Sequence, residues 1–148
     1  LFKFVEKQKK QNIRIGGILQ QAQFDLSGRV IGIDAVDIAT NHRTSISRPA
    51  ETAGVCGLDV AALVETSATI RTAISRRVDL VVVDKFGELE QKGKGLIDEI
   101  LEAIVEGIPL LISMPEAALP IWQERSGGLG SVLTFDEPAF EHWWQSIR

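Results

Sequence analysis

Two predominantly apolar runs in the second half of the chain constrain its fold more than any other feature. Val78 to Val83 and Ile108 to Ser113 have the near-continuous hydrophobicity of strands that are buried on both faces of a parallel sheet. An amphipathic helix from Leu96 to Val105 lies between them, and another helix, capped by Asp59 and ending near Arg77, precedes the first run. Because alternating helices and strands connect by right-handed crossovers, residues 58–113 predict a parallel α/β core.

The residues before this core predict a helix, a strand and a hairpin. The segment Leu1 to Gln11 is basic and weakly amphipathic, which favours a helix. Ile13 to Leu19 is expected to be a buried strand, in which the pair Gly16–Gly17 allows close approach of another backbone. A turn at Ser27–Gly28 and the β-branched segment Val30 to Ala39 then predict an antiparallel hairpin.

The remaining segments complete the predicted fold. Thr40 to Gly57 is polar and interrupted by glycine and proline, and is expected to be a long loop. After the core, Pro115 to Glu124 predicts a short helix, Ser131 to Thr134 a short strand, and Glu137 to Ile147 a helix that carries Trp143–Trp144. The whole chain, residues 1–148, therefore predicts a single three-layer α/β domain with a mainly parallel sheet and an antiparallel hairpin insertion.

Charge and cysteine content exclude several functional classes. The chain has 16 Lys plus Arg against 20 Asp plus Glu, a net charge of −4, whereas a general nucleic-acid-binding surface needs a basic field. No apolar run approaches the roughly 20 residues of a membrane-spanning helix, so a membrane-spanning role is not expected. Cys56 is the single cysteine, and no secretory signal opens the sequence. This combination favours a reducing, cytoplasmic location.

Asp84 is the candidate metal ligand. It directly follows the first apolar run, which places it at the carboxyl edge of the predicted sheet, where open α/β sheets bind ligands. An apolar strand that ends in aspartate is typical of a Walker B strand, whose carboxylate holds Mg²⁺ beside nucleotide phosphates. The same pattern also arises when an aspartate only caps the end of a strand.

Two basic segments are candidate anion sites. Lys92, Gly93, Lys94 and Gly95 lead into the helix that starts at Leu96, and free N–H groups flanked by lysines at a helix start can bind phosphate or another oxyanion. Arg43 and Arg48 lie in the predicted long loop, with few acidic residues nearby. For each segment the alternative is an ordinary solvated surface.

Several short motifs together resemble one bacterial family. They are Asp84 to Glu90, Gly93 to Gly95, Gly107 to Pro109, Cys56 before Leu58 and Asp59, and Gly127–Gly128 after a tryptophan-containing helix. This pattern resembles domain of unknown function 2478, a family often encoded beside molybdenum-transport genes. That family is in turn similar to the THEP-type nucleoside triphosphatases, P-loop proteins whose Walker B segment reads Asp-Glu-hydrophobic-Gly-x-hydrophobic-Glu.

The resemblance implies a P-loop NTPase-like fold and assigns Asp84 to the magnesium position. Lys85 stands where an acidic residue would help to activate water, and lysine cannot act as a base near neutral pH unless its pKa falls by several units. No Gly-x-x-x-x-Gly-Lys-Ser/Thr phosphate loop occurs in the sequence. Such a loop, with its strand, would precede the first helix, and we expect it upstream of Leu1 in degraded form.

Three functions remain open at this point. The first is an NTPase-like protein with a degraded catalytic site, which binds a magnesium nucleotide or an oxyanion near Asp84, Lys85 and the two loop arginines, as an accessory to molybdenum uptake or use. The second is an active Mg²⁺-dependent nucleoside triphosphatase, in which Asp84 acts with Glu88 or Glu90. The third is a protein-interaction domain that forms a homodimer through an exposed, aromatic C-terminal helix.

Overall fold

The computed structural model describes residues 1–49, 56–58 and 60–148, which form a six-stranded mixed sheet with helices on both faces. The strands are β1 (Ile15–Phe24), β2 (Val30–Asp37), β3 (Arg43–Pro49), β4 (Cys56–Leu58), β5 (Leu80–Asp84) and β6 (Leu110–Ser113). Their order across the sheet is β4-β3-β2-β1-β5-β6. The strands β1, β5 and β6 run parallel, whereas β2, β3 and β4 extend the sheet from β1 in an antiparallel manner.

Helices cover the sheet on both sides. They are α1 (Phe2–Lys10), α2 (Val60–Ser75), α3 (Glu88–Gln91), α4 (Ile97–Val105), α5 (Leu119–Ser126) and α6 (Glu137–Ile147). Side chains of α2, α4 and α5 pack on one face in a first core cluster, which includes Ile18 and Val83. Side chains of α1 and α6 pack on the other face in a second core cluster, which includes Leu19 and Val82. The α/β class and its three layers are therefore as predicted.

The parallel core matches the sequence pattern for a clear physical reason. Val81, Val82 and Val83 are each 0% exposed, because successive residues of β5 face the two core clusters alternately. A strand covered on both faces cannot carry a polar side chain in its centre without an internal partner. No helix in the described part of the chain is long and apolar enough to cross a membrane.

Two predictions about the outer part of the sheet are wrong. Only two of the strand pairings, β1 with β5 and β5 with β6, are parallel, so the sheet is mixed rather than mainly parallel. The predicted loop Thr40 to Gly57 contains β3 and the first two residues of β4, although residues 50–55 lie outside the described residues. Outer antiparallel strands can keep one face in water, so polar residues are compatible with these strands. The apolar pattern by which a strand is recognised in the sequence is therefore weak here.

The pair Gly16–Gly17 confirms the predicted close approach. A Cβ at Gly16 would overlap the side chain of Ala73 on α2, and a Cβ at Gly17 would overlap the carbonyl oxygen of Val82 on β5. Gly17 also has φ of +115°, which L residues rarely adopt. The two glycines therefore let a helix and a strand approach β1 from different sides.

The C-terminal region differs from expectation in two respects. Residues 131–134 form no strand; Leu133 packs its side chain on the second core cluster instead. The aromatic face of α6 is also not exposed, because Phe140 and Trp144 are each only 4% exposed and belong to the same cluster. The surface on which the dimerisation hypothesis relied is therefore largely used to build the core, and a homodimer stays a prediction.

Candidate functional site

Asp84 lies at the carboxyl end of β5 and is held by both neighbouring strands. Its Oδ1 accepts a hydrogen bond of 2.6 Å from the hydroxyl of Ser113 on β6, and its Oδ2 accepts one of 3.1 Å from the backbone N–H of Gln20 on β1. The Asp84–Lys85 peptide bond is cis. The carboxylate is half-buried and fixed in orientation, which a ligand-binding group at a sheet edge requires.

The side chain of Asp84 belongs to the sheet face that α1 and α6 cover. Alternation along β5 places it on the same side as Val82, a member of the second core cluster. Residues 11–14 connect the end of α1 directly to the start of β1, so the last turn of α1 lies at the amino edge of the parallel strands. We infer from this short connection that the first turn of α1 points toward the carboxyl edge, where Asp84 lies.

Arg43 shares this face with Asp84 but is not adjacent to it. In the register of the sheet Arg43 pairs with Val36, and Val36 pairs with Leu19, so β1 and β2 lie between the two side chains. Arg43 on β3 and Asp84 on β5 are therefore separated by three strand spacings, or about 14 Å. The guanidinium Nη1 is 3.7 Å from Oδ2 of the buried Asp34, while the arginine side chain remains 52% exposed. Arg43 is therefore too far away to contact a ligand bound at Asp84, and its place in a ligand site stays a prediction.

Lys85 points toward a buried acid in the following turn. Its stem lies beside Gly87, and its positive charge acts to lower the pKa of Glu90. Burial dominates, however, and raises the pKa of Glu90 above its ordinary value. Lys85 therefore serves in this structure as the electrostatic neighbour of another acid.

Glu90 occupies the space that the predicted loop anion would need. Its Oε1 accepts the N–H of Gly87 at 3.4 Å, and its carboxylate also accepts the N–H of Leu96, the residue that caps the start of α4. A side chain at Gly95 would overlap the same carboxylate. An internal carboxylate thus already satisfies an amide at this helix start, where a bound anion would otherwise be favoured.

The two lysines of this loop are placed differently. Lys92 pairs with Glu88 through an Nζ–Oε1 distance of 3.2 Å, while Lys94 is exposed. Beside them, Gly93 approaches the guanidinium of Arg125, which donates to the carbonyl of Gln91. An anion site at Lys92 to Gly95 stays a prediction, and it would have to compete with Glu90.

The structure leaves two further predictions open. Arg48 lies on β3, which pairs with β4, but its side chain lies outside the described residues. Among the residues that the structure describes, no group of three or more His, Cys, Asp or Glu side chains is arranged to hold a metal ion. The assignment of Asp84 as a metal ligand therefore stays a prediction.

Sequence reasoning missed the partners of Asp84. Ser113 ends the predicted second strand, and in-register pairing of the two parallel strands would have placed it opposite Asp84. The Gln20 amide could not be found in this way, because it depends on the extension of β1 past the predicted end at Leu19. The sequence contained a weak indication of the role of Glu90, because the side chain of a glutamate three residues after a helix N-cap commonly accepts a hydrogen bond from the N-cap N–H.

Comparison with known proteins gives one family and one named relative. A family model described as protein of unknown function (DUF2478) matches residues 1–143. The chain is also 39% identical over 133 residues to the molybdenum import ATP-binding protein ModC 2 of Bradyrhizobium diazoefficiens. That match covers 89% of this chain but only 15% of the relative, and no solved structure matches the chain. The chain therefore belongs to the DUF2478 family of proteins of unknown function.

Proposed function

We propose that this domain binds a magnesium nucleotide or an oxyanion at the carboxyl edge of the sheet, with a degraded catalytic site. The observation that carries the proposal is the fixed carboxylate of Asp84 at the end of a central parallel strand, held by Ser113 and the Gln20 amide. Mg²⁺ is usually bound through one or two carboxylates together with waters and substrate phosphates. An aspartate at this position is therefore compatible with a metal that arrives with its nucleotide.

The neighbouring side chains favour binding over hydrolysis. Lys85, next to Asp84 in the chain, supplies positive charge at this edge, which suits phosphate or a tetrahedral oxyanion. Arg43 adds only long-range charge, because it lies about three strand spacings away and pairs with Asp34. Lys85 is no general base, and Glu90 is turned inward onto backbone amides rather than toward the edge. A role in molybdenum uptake or use rests on the name of the relative, of which this chain spans only a small part. We further propose a cytoplasmic location.

Ligand titration of the wild-type chain followed by substitution of Asp84 tests the proposal. A ligand present at a hundred times its Kd stabilises a protein by about 2.7 kcal/mol, so MgATP, MgGTP or sodium molybdate should raise the melting temperature. Asp84→Asn should weaken magnesium-dependent nucleotide binding about tenfold or more in calorimetry, because a charged contact is lost. Asp98→Asn, which removes an exposed carboxylate from α4, is the matched control and should bind like wild type. Equal affinities in the two variants, or no stabilisation by any ligand, would contradict the proposal.

Active nucleotide hydrolysis is the second candidate function, and the direction of α1 supports it. Since the first turn of α1 faces the carboxyl edge, a phosphate loop directly before Leu1 in a longer form of the protein would enter beside Asp84. A Gly-Lys-Ser/Thr sequence there, together with phosphate release from MgATP that Asp84→Asn abolishes, would establish this function. Nucleotide binding without phosphate release would support the binding function and exclude hydrolysis.

A further inference from the structure

The strand β6 lies at one side of the sheet and has a free backbone edge. Among the residues that the structure describes it pairs only with β5, in parallel. The N–H of Val81 on β5 donates to the carbonyl of Pro109, directly before β6, at 2.9 Å. Because the direction of backbone groups alternates along a strand, the N–H and C=O groups of Leu110 and Ile112 point away from β5. These four groups have no hydrogen-bond partner in the described part of the chain.

Apart from its short length, β6 has none of the features that usually prevent another strand from pairing at an edge. Its four residues include no charge and no proline, and its pairing with β5 contains no bulge. The side chains of Leu110 and Ile112 pack against the first core cluster, while Leu111 belongs to the second. Both sides of β6 are therefore apolar, as in an internal strand of a parallel sheet, and its edge is suited to one more strand.

The position of α1 indicates which segment would supply that strand. The crossover from β5 through α4 to β6 runs on the face of the first core cluster and moves across the sheet away from β1. Helix α1 lies on the opposite face and leads into β1. Right-handed crossovers on opposite faces move across a sheet in opposite directions. A parallel strand that leads into α1 therefore lies on the β6 side of β1, where the free edge of β6 is the position at which it can pair.

We propose that the free edge of β6 binds one extended segment of a longer form of this chain, which runs parallel to β6 and leads directly into α1. The parallel direction follows because the first turn of α1 points toward the carboxyl edge, where the added strand would end. Its backbone would pair with Leu110 and Ile112 and make β6 an internal strand. The matching region of ModC 2 is likewise part of a much longer chain. The proposal does not rest on ligand binding at Asp84.

The same strand would account for an exposed apolar segment between α5 and α6. This segment passes from the face of the first core cluster to that of the second, and its side chains Leu129, Val132 and Phe135 are 56, 69 and 71% exposed. Residues 131–134 have the sequence pattern of a strand but pair with none of the described strands. Leu133 packs on the second core cluster, to which β6 also contributes. A sheet extended beyond β6 would give this segment an apolar surface to cover.

Amide hydrogen exchange followed by NMR tests the proposal. The ¹⁵N-labelled protein is measured without nucleotide, magnesium or molybdate, so the result is independent of the site at Asp84. In the 148-residue chain, the outward amides of Leu110 and Ile112 should exchange about 100-fold or more faster than those of Leu111 and Ser113, which face β5. In a form that includes the residues encoded upstream of Leu1, the two outward amides should slow about 100-fold. The two inward amides are the matched control and should stay unchanged.

Three outcomes would overturn the proposal. In the first, the outward amides of the longer form exchange as fast as those of the 148-residue chain. In the second, these amides are already protected in the 148-residue chain and sedimentation gives the mass of a dimer, which would assign the edge to a second copy. In the third, the gene encodes fewer than about ten residues upstream of Leu1, too few for a strand and its connection to α1. Nuclear Overhauser contacts in the parallel pattern between upstream residues and Ile112 would establish the pairing directly.

Discussion

Glu90 lies in an environment that departs from that of a surface acid. The turn from Gly87 to Leu96 wraps around its carboxylate, and two backbone N–H groups donate to it. These hydrogen bonds and the charge of Lys85 favour the ionised form, but burial of the side chain, which is only 7% exposed as a residue, outweighs them. The pKa of Glu90 is therefore raised above its ordinary value of 4.5.

This raised pKa makes stability depend on pH in a defined direction. Between the pKa of the unfolded chain and the higher pKa of the folded protein, the folded state binds more protons, so the free energy of unfolding falls as pH rises. Glu90→Gln cannot ionise and lacks this dependence. The stability of wild type relative to Glu90→Gln should therefore be highest below pH 4.5 and should fall as pH rises through the folded pKa.

Urea denaturation of both proteins at several pH values measures this difference. Glu88→Gln, on the same short helix, is the control, because it removes one acid but retains Glu90. A stability difference between wild type and Glu90→Gln that is constant or grows with pH would be inconsistent with a carboxyl group destabilised by burial.

At the scale of elements, the packing of β1 against its neighbours depends on the pair Gly16–Gly17. Gly16 admits Ala73 of α2, and Gly17 admits the carbonyl of Val82 on β5. Arg14, just before β1, donates to the carbonyls of Arg76 and Arg77 at 3.4 and 3.0 Å and so caps the end of α2. The junction of strand and helix is thus fixed by close backbone contact and by a side-chain cap.

Gly17→Ala should destabilise the protein by about 3 kcal/mol or more, because the new methyl group would overlap the backbone of β5 and φ is positive. Gly28→Ala is the matched control. Gly28 also has a positive φ, +84°, but nothing lies within 4 Å of the added methyl, so the expected loss is only about 1 kcal/mol. Urea denaturation of both variants measures the difference, and similar losses would show that close approach at Gly17 contributes little.

At the scale of the molecule, a single sheet joins the two core clusters. Each strand of the parallel core contributes side chains to both, as β5 does with Val82 on one face and Val83 on the other. Trp122 lies in the first cluster, where its ring packs edge-on against Phe86 with centroids 5.5 Å apart, and Trp144 lies in the second. Neither cluster can lose its packing without disturbing the strands that support the other.

The two clusters should therefore unfold together. Trp143→Phe with Trp144→Phe leaves Trp122 as the single fluorescent reporter, and Trp122→Phe with Trp143→Phe leaves Trp144. In each double variant the urea midpoint by tryptophan fluorescence should coincide with the midpoint by far-ultraviolet circular dichroism, as expected for two-state unfolding. A fluorescence transition that precedes loss of secondary structure in either variant would show that one layer separates first.

The predictions that succeeded concern features encoded within short segments. Helical periodicity located α2 and α4, continuous hydrophobicity located β5 and β6, and a turn between β-branched segments located the hairpin of β1 and β2. The position of Asp84 at the carboxyl edge followed from its place directly after an apolar strand. These features are local because helical periodicity and burial on two faces determine the hydrophobicity of residues that are close together in the sequence.

What only the tertiary structure decided depends on pairing between distant segments. The strand β3 is mostly polar and β4 has only three residues, so both depend on backbone pairing, β3 with β2 and β4 with β3. The partners of Asp84, the inward turn of Glu90 and the burial of Trp144 likewise require contacts across the fold. The sequence by itself determined the helices other than α3, the parallel strands and the edge at which a ligand is expected. Three-dimensional packing decided which polar groups are free to bind one, because hydrogen-bond partners are chosen by distance in space and not along the chain.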